Sequence, residues 1–414
     1  MRVPRVVSVM ILGRGSRSLR PGGLHPMLFN PRHPVRAGDA VPLRLEFDDG
    51  TRLEIDVATT HRGIMNTLRN TWQQMMGRLP VPRVSGWKLP MRIGAGVLGV
   101  YILLCIVLGF IWDHEPDAIS VREQAARMME AQNREVVTGV TTTATLIALA
   151  ETLLDKRGGY LTNDIFPPSI WMDNVPNWEF GVLVQLRDMS RIMRNDLSRS
   201  QSQSREDPAL VDAEGKFFYR NDSWIFPETE NEYRDGINHL RNYLERLSDP
   251  GNPKAQFYAR ADNLASWLAA VETRLGSLSQ RLSTSVGKRQ LDLGLAGDSA
   301  ASRATEVPVD EEIQTPWLEL DDVFYEARGH TWALIHLLRA VDIDFAEVLE
   351  DKNARVSLQQ IIRELEPTQD PMWSPVILNG TGFGMLANHS LVMASYVSRA
   401  NAAIIDLRNL LAKG

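Results

Sequence analysis

Residues 93–112 read IGAGVLGVYILLCIVLGFIW, twenty consecutive positions without a charged side chain. At about 1.5 Å of rise per residue, a helix of this length covers the roughly 30 Å hydrocarbon core of a bilayer. A buried core helix is the competing reading, but such helices seldom run this far without a polar residue. The flanks set a direction. Between Asn66 and Arg92 stand Arg69, Arg78, Arg83, Lys88 and Arg92 with no acid, whereas Asp113, Glu115 and Asp117 follow the run directly. Excess Lys and Arg stay on the cytoplasmic side, so the N-terminus is expected inside and Asp113 onward outside. Trp87 and Trp112 stand at the two ends, where interfacial aromatics belong. The run is too long for a cleaved signal peptide and no small-x-small site follows it, so it reads as a signal anchor.

The rest of the 414-residue chain is long enough for two or three domains. A hydrophobic share of 44% with 23% charged residues excludes a disordered chain. A net charge of −6 argues against nucleic-acid binding, which needs a basic face. The only cysteine, Cys105, lies inside the apolar run, which excludes intrachain disulfides, CxxC redox chemistry and cysteine-ligated zinc. Ala95 and Gly99 form a small-xxx-small pair through which two copies could approach, so a homodimer is one expected arrangement.

Beyond the run the pattern is helical. Ser120 with Glu123 predicts a capping box opening a helix to about Val137. In TTTATLIALAETLLDKRGG (141–159), Leu146, Leu149, Leu153 and Leu154 share a face, and Gly158-Gly159 ends the helix. YLTNDIFPPSIWMDNVPNW (160–178) carries prolines at 167, 168 and 176 and predicts a helix-free loop. Further helices are expected over about 179–199, 230–247, 253–285, 317–351, 354–365 and 385–413. SRSQSQSRED (198–207) reads as a polar linker and GLAGDSAASRATEVPVDEE (294–312) as a flexible segment. EGKFFYRNDSWIF (214–226) predicts a short hairpin around Asn221-Asp222. Short connections imply antiparallel neighbours. The expected class is mainly α: one transmembrane helix at 93–112, then a helical bundle at 113–414, after a β-rich fragment (1–64) and a basic tail (65–92).

From Met65 onward the chain resembles a group of proteobacterial inner-membrane proteins of unknown function. The resemblance rests on the anchor, on KRGGYLTNDIFPPSIWMDNVPNWEFG (156–181) and on NHSLVMASYVSRANAAIIDLRNLL (388–411). It implies an inner-membrane anchor with a periplasmic domain, and no activity.

The first residues differ. LRLEF (43–47) and TRLEIDV (51–57) alternate around Asp49-Gly50 and predict a hairpin. The stretch LRPGGLHPMLFNPRHPVRAGDAVPLRLEFDDGTRLEIDV (19–57) resembles the last third of the periplasmic copper(I) chaperones with a cupredoxin-like fold. That resemblance implies His25 and Met27, after Pro21-Gly22-Gly23, as ligands; imidazole and thioether suit Cu(I). The sequence departs from the family in lacking its first half, with the upstream histidine, and the anchor's direction places His25 in the cytoplasm. Met65 reads as a natural start, with residues 1–64 an upstream frame joined to it. No cofactor is expected otherwise, and Cu(I) at His25 and Met27 is the alternative.

Asp322, Glu326 and His330 follow one another at i, i+4 and i+8 on one helix face, the arrangement of half a metal site. No Glu-x-x-His accompanies them, and a solvated or salt-bridged face is the preferred reading. His239 reads as structural. Gly-x-Ser-x-Gly, Ser-x-x-Lys and Cys–His arrangements are absent, and Gly380, Gly382 and Gly384 read as a turn, so no catalytic residue is nominated. Tyr160, Phe166, Trp171 and Trp178 either cap the bundle or form a partner patch, and capping is preferred. The expected function is a non-enzymatic envelope scaffold or interaction module with protein partners. Copper handling, or an enzyme with an unrecognised site in the bundle, are the alternatives.

Overall fold

The apolar run forms one helix, α1 (Lys88–Trp112). Its Met91–Trp112 portion is long and apolar enough to cross a membrane, and only 6% of its most apolar window is buried. A core helix would be covered on most sides, so that reading fails. Gly94, Gly96 and Gly99 face open space. The computed structural model describes residues 40–46, 52–58, 88–200, 205–249, 251, 255–290, 311–374, 376–380 and 387–413.

Residues Met1–Ile93 and Gly94–Gly414 form separate units. In the first, β1 (Ala40–Glu46) and β2 (Arg52–Ala58) pair antiparallel, with Leu43 opposite Ile55. This is the hairpin that the alternating pattern predicts; its turn lies outside the described residues, as do His25 and Met27.

The second unit is mainly α. After α1 come α2 (Val121–Glu130), α3 (Val140–Asp155), α4 (Asn174–Ile192), α5 (Pro208–Phe217), α6 (Thr229–Leu247) and α7 (Ala261–Ser283). Then follow α8 (Leu320–Asp344), α9 (Ala346–Asp351), α10 (Arg355–Leu365) and α11 (His389–Ala412). A short antiparallel pair, β3 (Lys288–Gln290) with β4 (Glu311–Ile313), brackets most of the small, polar stretch after α7.

Helix α3 lies at the centre, with Val140 to Ala150 buried without a break. Its first turn is capped from another helix: Thr142 donates its backbone N–H (2.6 Å) and its hydroxyl (2.7 Å) to Asp344 at the end of α8. This satisfies a donor that a helix N-terminus leaves open. Helices α4 and α8 run in parallel and meet backbone to backbone. A Cβ on Gly181 would stand 2.1 Å from the Glu326 carbonyl oxygen, and one on Gly329 would stand 1.9 Å from that of Trp178. Only glycine admits this approach. Beside the crossing, Trp178 and Trp332 pack with ring centroids 5.1 Å apart. Helices α7 and α11 form a second close pair, antiparallel and tied by Arg408 to Glu272.

Several expectations are corrected. Ser120 precedes α2 but makes no capping bond, and Glu123 pairs with Arg127 instead (3.3 Å). The helix stops at Glu130, before Asn133 turns to positive φ. Residues 208–217 are helical, so 214–217 are not the first arm of the hairpin expected over 214–226; Asp207 accepts from the Ala209 N–H and Pro208 occupies the first turn. Pro176 likewise sits in the first turn of α4, where no intrahelical donor is needed. Helix α4 ends in a π turn at Met193–Leu197. Helix α7 starts eight residues late: Gln256 accepts from the Tyr243 hydroxyl (2.6 Å) and Tyr258 donates to the Leu197 carbonyl (2.7 Å), which holds that stretch outside the helix. The long helix expected over 317–351 breaks at Phe345 into α8 and α9.

Candidate functional site

Two ion pairs, one buried and one half-buried, occupy the end of the bundle from which α1 emerges. Glu179 lies on the inward face of α4 and is fully buried. Its carboxylate accepts from the backbone N–H groups of Leu161 and Thr162 (2.9 Å each), from the Thr162 hydroxyl and from the Lys156 ammonium. Lys156 is buried too and also donates to the Gly159 carbonyl. The chain folds back here because Gly158 and Gly159 adopt φ of 88° and 76°. Gly158 lies hard against α1: a Cβ on it would stand 2.7 Å from Cγ of Trp112. The Lys156–Glu179 knot therefore holds residues 156–162 against the last residue of α1.

Arg328 of α8 is the second knot. Its guanidinium donates through Nε (2.7 Å) and Nη2 (2.5 Å) to Glu115, and through Nη1 to the carbonyls of Thr368 and Asp370 (3.0 Å each). The planar fork of arginine suits such bidentate pairing. Arg328 thus ties the segment after α1 to α8 and to the turn after α10. Around these knots, burial raises the Asp113 carboxyl above its usual range, with Glu115 and Asp173 adding to it. Burial, then Asp173, does the same to Asp322.

The trio Asp322, Glu326 and His330 does not form a site. Asp322 accepts from Asn177 (2.6 Å), and Glu326 takes both guanidinium arms of Arg281 (2.6 Å each). His330 is buried, its Nε2 2.7 Å from the Gln185 amide, and burial pushes its pKa down to about 3. The face is thus hydrogen-bonded and salt-bridged, with the histidine inside the core. His336 has a defined tautomer: Nε2 accepts from the Ile119 N–H (2.8 Å), so Nδ1 donates to the Trp332 carbonyl (2.7 Å). Burial pushes it down to about 4. His239 stands 3.8 Å from Asp212 on the surface. Among the described residues, no group of three His, Cys, Asp or Glu side chains is placed to hold a metal.

A cleft of about 500 Å³ opens beside residues 114–117 and the end of α3. Three of its four carboxylates are engaged with arginines: Glu115 with Arg328, Glu151 with Arg241 (2.5 Å) and Asp155 with Arg234 (2.7 Å). The loop aromatics divide. Tyr160 and Trp178 are buried, as capping requires, whereas Phe166 and Trp171 are exposed.

Residues 86–414 match the family model described as an uncharacterized protein conserved in bacteria, DUF2333. The chain belongs to the DUF2333 family. One family model thus spans both α1 and the helical bundle, so in DUF2333 the apolar helix and the domain come as a unit. Residues 1–59 match a different model, the putative lipoprotein LpqE-like family, and the two matches share no residue. His25 and Met27 fall in that second match. No curated protein and no solved structure matches the chain.

The residues that hold the α1 end of this DUF2333 domain together are Glu115, Lys156, Glu179 and Arg328; the sequence marks Glu115 only as an acid that follows the span, and gives none of the four a structural role. A signal was present for two of them. Glu179 shares the inward face of α4 with Val175, Val182 and Leu183, and Arg328 shares that of α8 with Phe324 and Thr331. A charge on an apolar face requires a buried partner.

Proposed function

We propose that this DUF2333 protein is a single-pass inner-membrane protein. Its N-terminal side is cytoplasmic, and its helical domain stands in the periplasm as a non-enzymatic scaffold for envelope proteins. The observation that carries this reading is α1: its apolar window is almost wholly uncovered, yet its end is locked to the bundle at Gly158 and Glu115. A helix left bare by its own domain needs lipid around it. Five basic residues before its apolar run 93–112 and three acids directly after it support this direction. The lock also makes the anchor a rigid mount rather than a loose tether, which suits a protein that presents a fixed surface. On this topology His25 and Met27 lie on the cytoplasmic side, and the copper alternative is not adopted.

The reading predicts that the full-length chain stays in the membrane pellet through a sodium carbonate wash, and that deletion of 93–112 releases it. Recovery of the intact chain in the carbonate supernatant would contradict it.

A further inference from the structure

All four exposed tryptophans among the described residues, Trp171, Trp224, Trp317 and Trp373, belong to connecting segments at one end of the bundle, Trp171 and Trp317 in single 3-10 turns (Ser169–Trp171 and Trp317–Glu319). Named contacts place each loop. A Cβ on Gly109, inside the last turn of α1, would stand 3.9 Å from Cβ of Pro168, so the loop carrying Phe166, Ile170 and Trp171 lies beside the span. The loop of Trp224, Ile225 and Phe226 hangs from the same region: Tyr160 donates to the Asn221 carbonyl (3.1 Å) and Asn163 to that of Ser223 (2.9 Å). Trp317 and Leu318 immediately precede α8, whose first turn carries the Asp322–Asn177 bond. Trp373 follows Asp370, whose carbonyl accepts from the same Arg328 that grips Glu115, three residues past Trp112.

We propose that this end of the bundle is a lipid-contacting surface. The tips at Phe166–Trp171, Trp224–Phe226, Trp317–Leu318 and Trp373 seat in the interfacial layer of the membrane that α1 crosses. The proposal rests on the single-pass reading and adds to it a second, peripheral membrane contact that fixes the tilt of the domain. Continuity with the span selects the bilayer as occupant, because lipid that covers α1 up to Trp112 is already level with Pro168. The side chains fit that layer. Tryptophan pairs an apolar body with one donor and concentrates at the boundary between hydrocarbon and water. The tips are also as bare as side chains become, Phe226 and Trp373 each 95% exposed and Trp317 74%. Large apolar groups held out in this way mark an interaction surface.

The charges near the tips indicate how the surface holds. Asp164, Asp173, Glu319 and Asp321 flank them, and Arg220 is engaged by Asp222 (2.7 Å). A basic patch seeking anionic headgroups would have the opposite sign. Seating is therefore apolar, and it proceeds on neutral lipid.

The test uses the full chain with Cys105→Ala, reconstituted in phosphatidylcholine vesicles. Single cysteines at Trp171→Cys, Phe226→Cys, Trp317→Cys and Trp373→Cys each carry an environment-sensitive fluorophore. Leu103→Cys, on the span, and Val356→Cys, in the first turn of α10, serve as references. The proposal predicts quenching of the four tips by nitroxide lipid and loss of quenching by aqueous iodide, with Val356→Cys behaving in the opposite way. Tips that behave like Val356→Cys while Leu103→Cys is quenched by lipid would overturn the proposal and leave the span intact. Tips shielded from both quenchers would mean that protein covers them, which also overturns it. If Leu103→Cys itself escapes the lipid quencher, the single-pass reading fails and this proposal with it.

Discussion

Gly329→Ala is expected to destabilise the domain by about 3 kcal/mol or more, the upper range for overpacking a tight core. The added methyl would stand 1.9 Å from the Trp178 carbonyl oxygen and 2.7 Å from its carbon, and backbone atoms inside a helix cannot step aside as a flexible side chain can. Relief requires α4 and α8 to separate, which opens the Trp178–Trp332 contact and the Gln185–His330 pair along the same crossing. Gly181→Ala acts at that crossing from the other helix and should behave alike. Gly215→Ala supplies the opposite sign. It lies within α5 with open space around it, so alanine should stabilise by about 0.5–1 kcal/mol through helix propensity. Thermal unfolding of the full chain in detergent measures all three. A Gly329→Ala midpoint equal to that of the unsubstituted protein would refute the crossing.

The second large effect is at Glu179. Alanine there leaves the Lys156 ammonium buried without its counter-charge and strips the Leu161 and Thr162 N–H groups of their acceptor. Breaking a buried pair from one side costs about 3–5 kcal/mol, because the orphaned charge remains inside. The loss should also be local in form. Residues 156–162 come away from Trp112, and trypsin should cut at Arg157 well before it cuts the helices. The pair Lys156→Met with Glu179→Gln should recover much of the stability, since no charge is then left buried and the glutamine oxygen still accepts from the backbone. If the double variant is as unstable as Glu179→Ala, charge pairing is not what holds the loop.

Much of this architecture is written in residue patterns. The span is legible because twenty uncharged positions between oppositely charged flanks have few other physical uses. Helices α3, α6, α10 and α11 are legible because their apolar residues recur at helical spacing and glycine or asparagine marks their ends. Helix α5 is less legible, although Asp207-Pro208 is a start signal and Ala209, Ala213 and Phe217 recur at four-residue spacing. The adjacent aromatics and Asn221-Asp222 carry the pattern of a hairpin over the same stretch. The break at Phe345 was hidden because its cause is distant: Asp344 turns to cap α3, two hundred residues away in sequence.

The α1 end of the bundle was the least legible part. The 160–178 loop stood out for its prolines and aromatics, but Lys156 and Glu179 sit inside ordinary helix and loop text. Only the fold brings Glu115, Arg328 and Asp370 into one hydrogen-bonded group. The Asp322–Glu326–His330 spacing shows the converse. Periodicity placed three ligand-type residues on one helix, while packing gave each a different partner.

The central claim, that the chain crosses the membrane once with its helical domain outside, has a direct test in bacterial cells. Alkaline phosphatase requires disulfides that form in the periplasm and not in the cytoplasm. Fused after Lys413, it should be active; fused after Arg92, ahead of the span, it should be inactive. Activity at Arg92 with none at Lys413 would reverse the orientation, and equal activity at both would remove the single crossing.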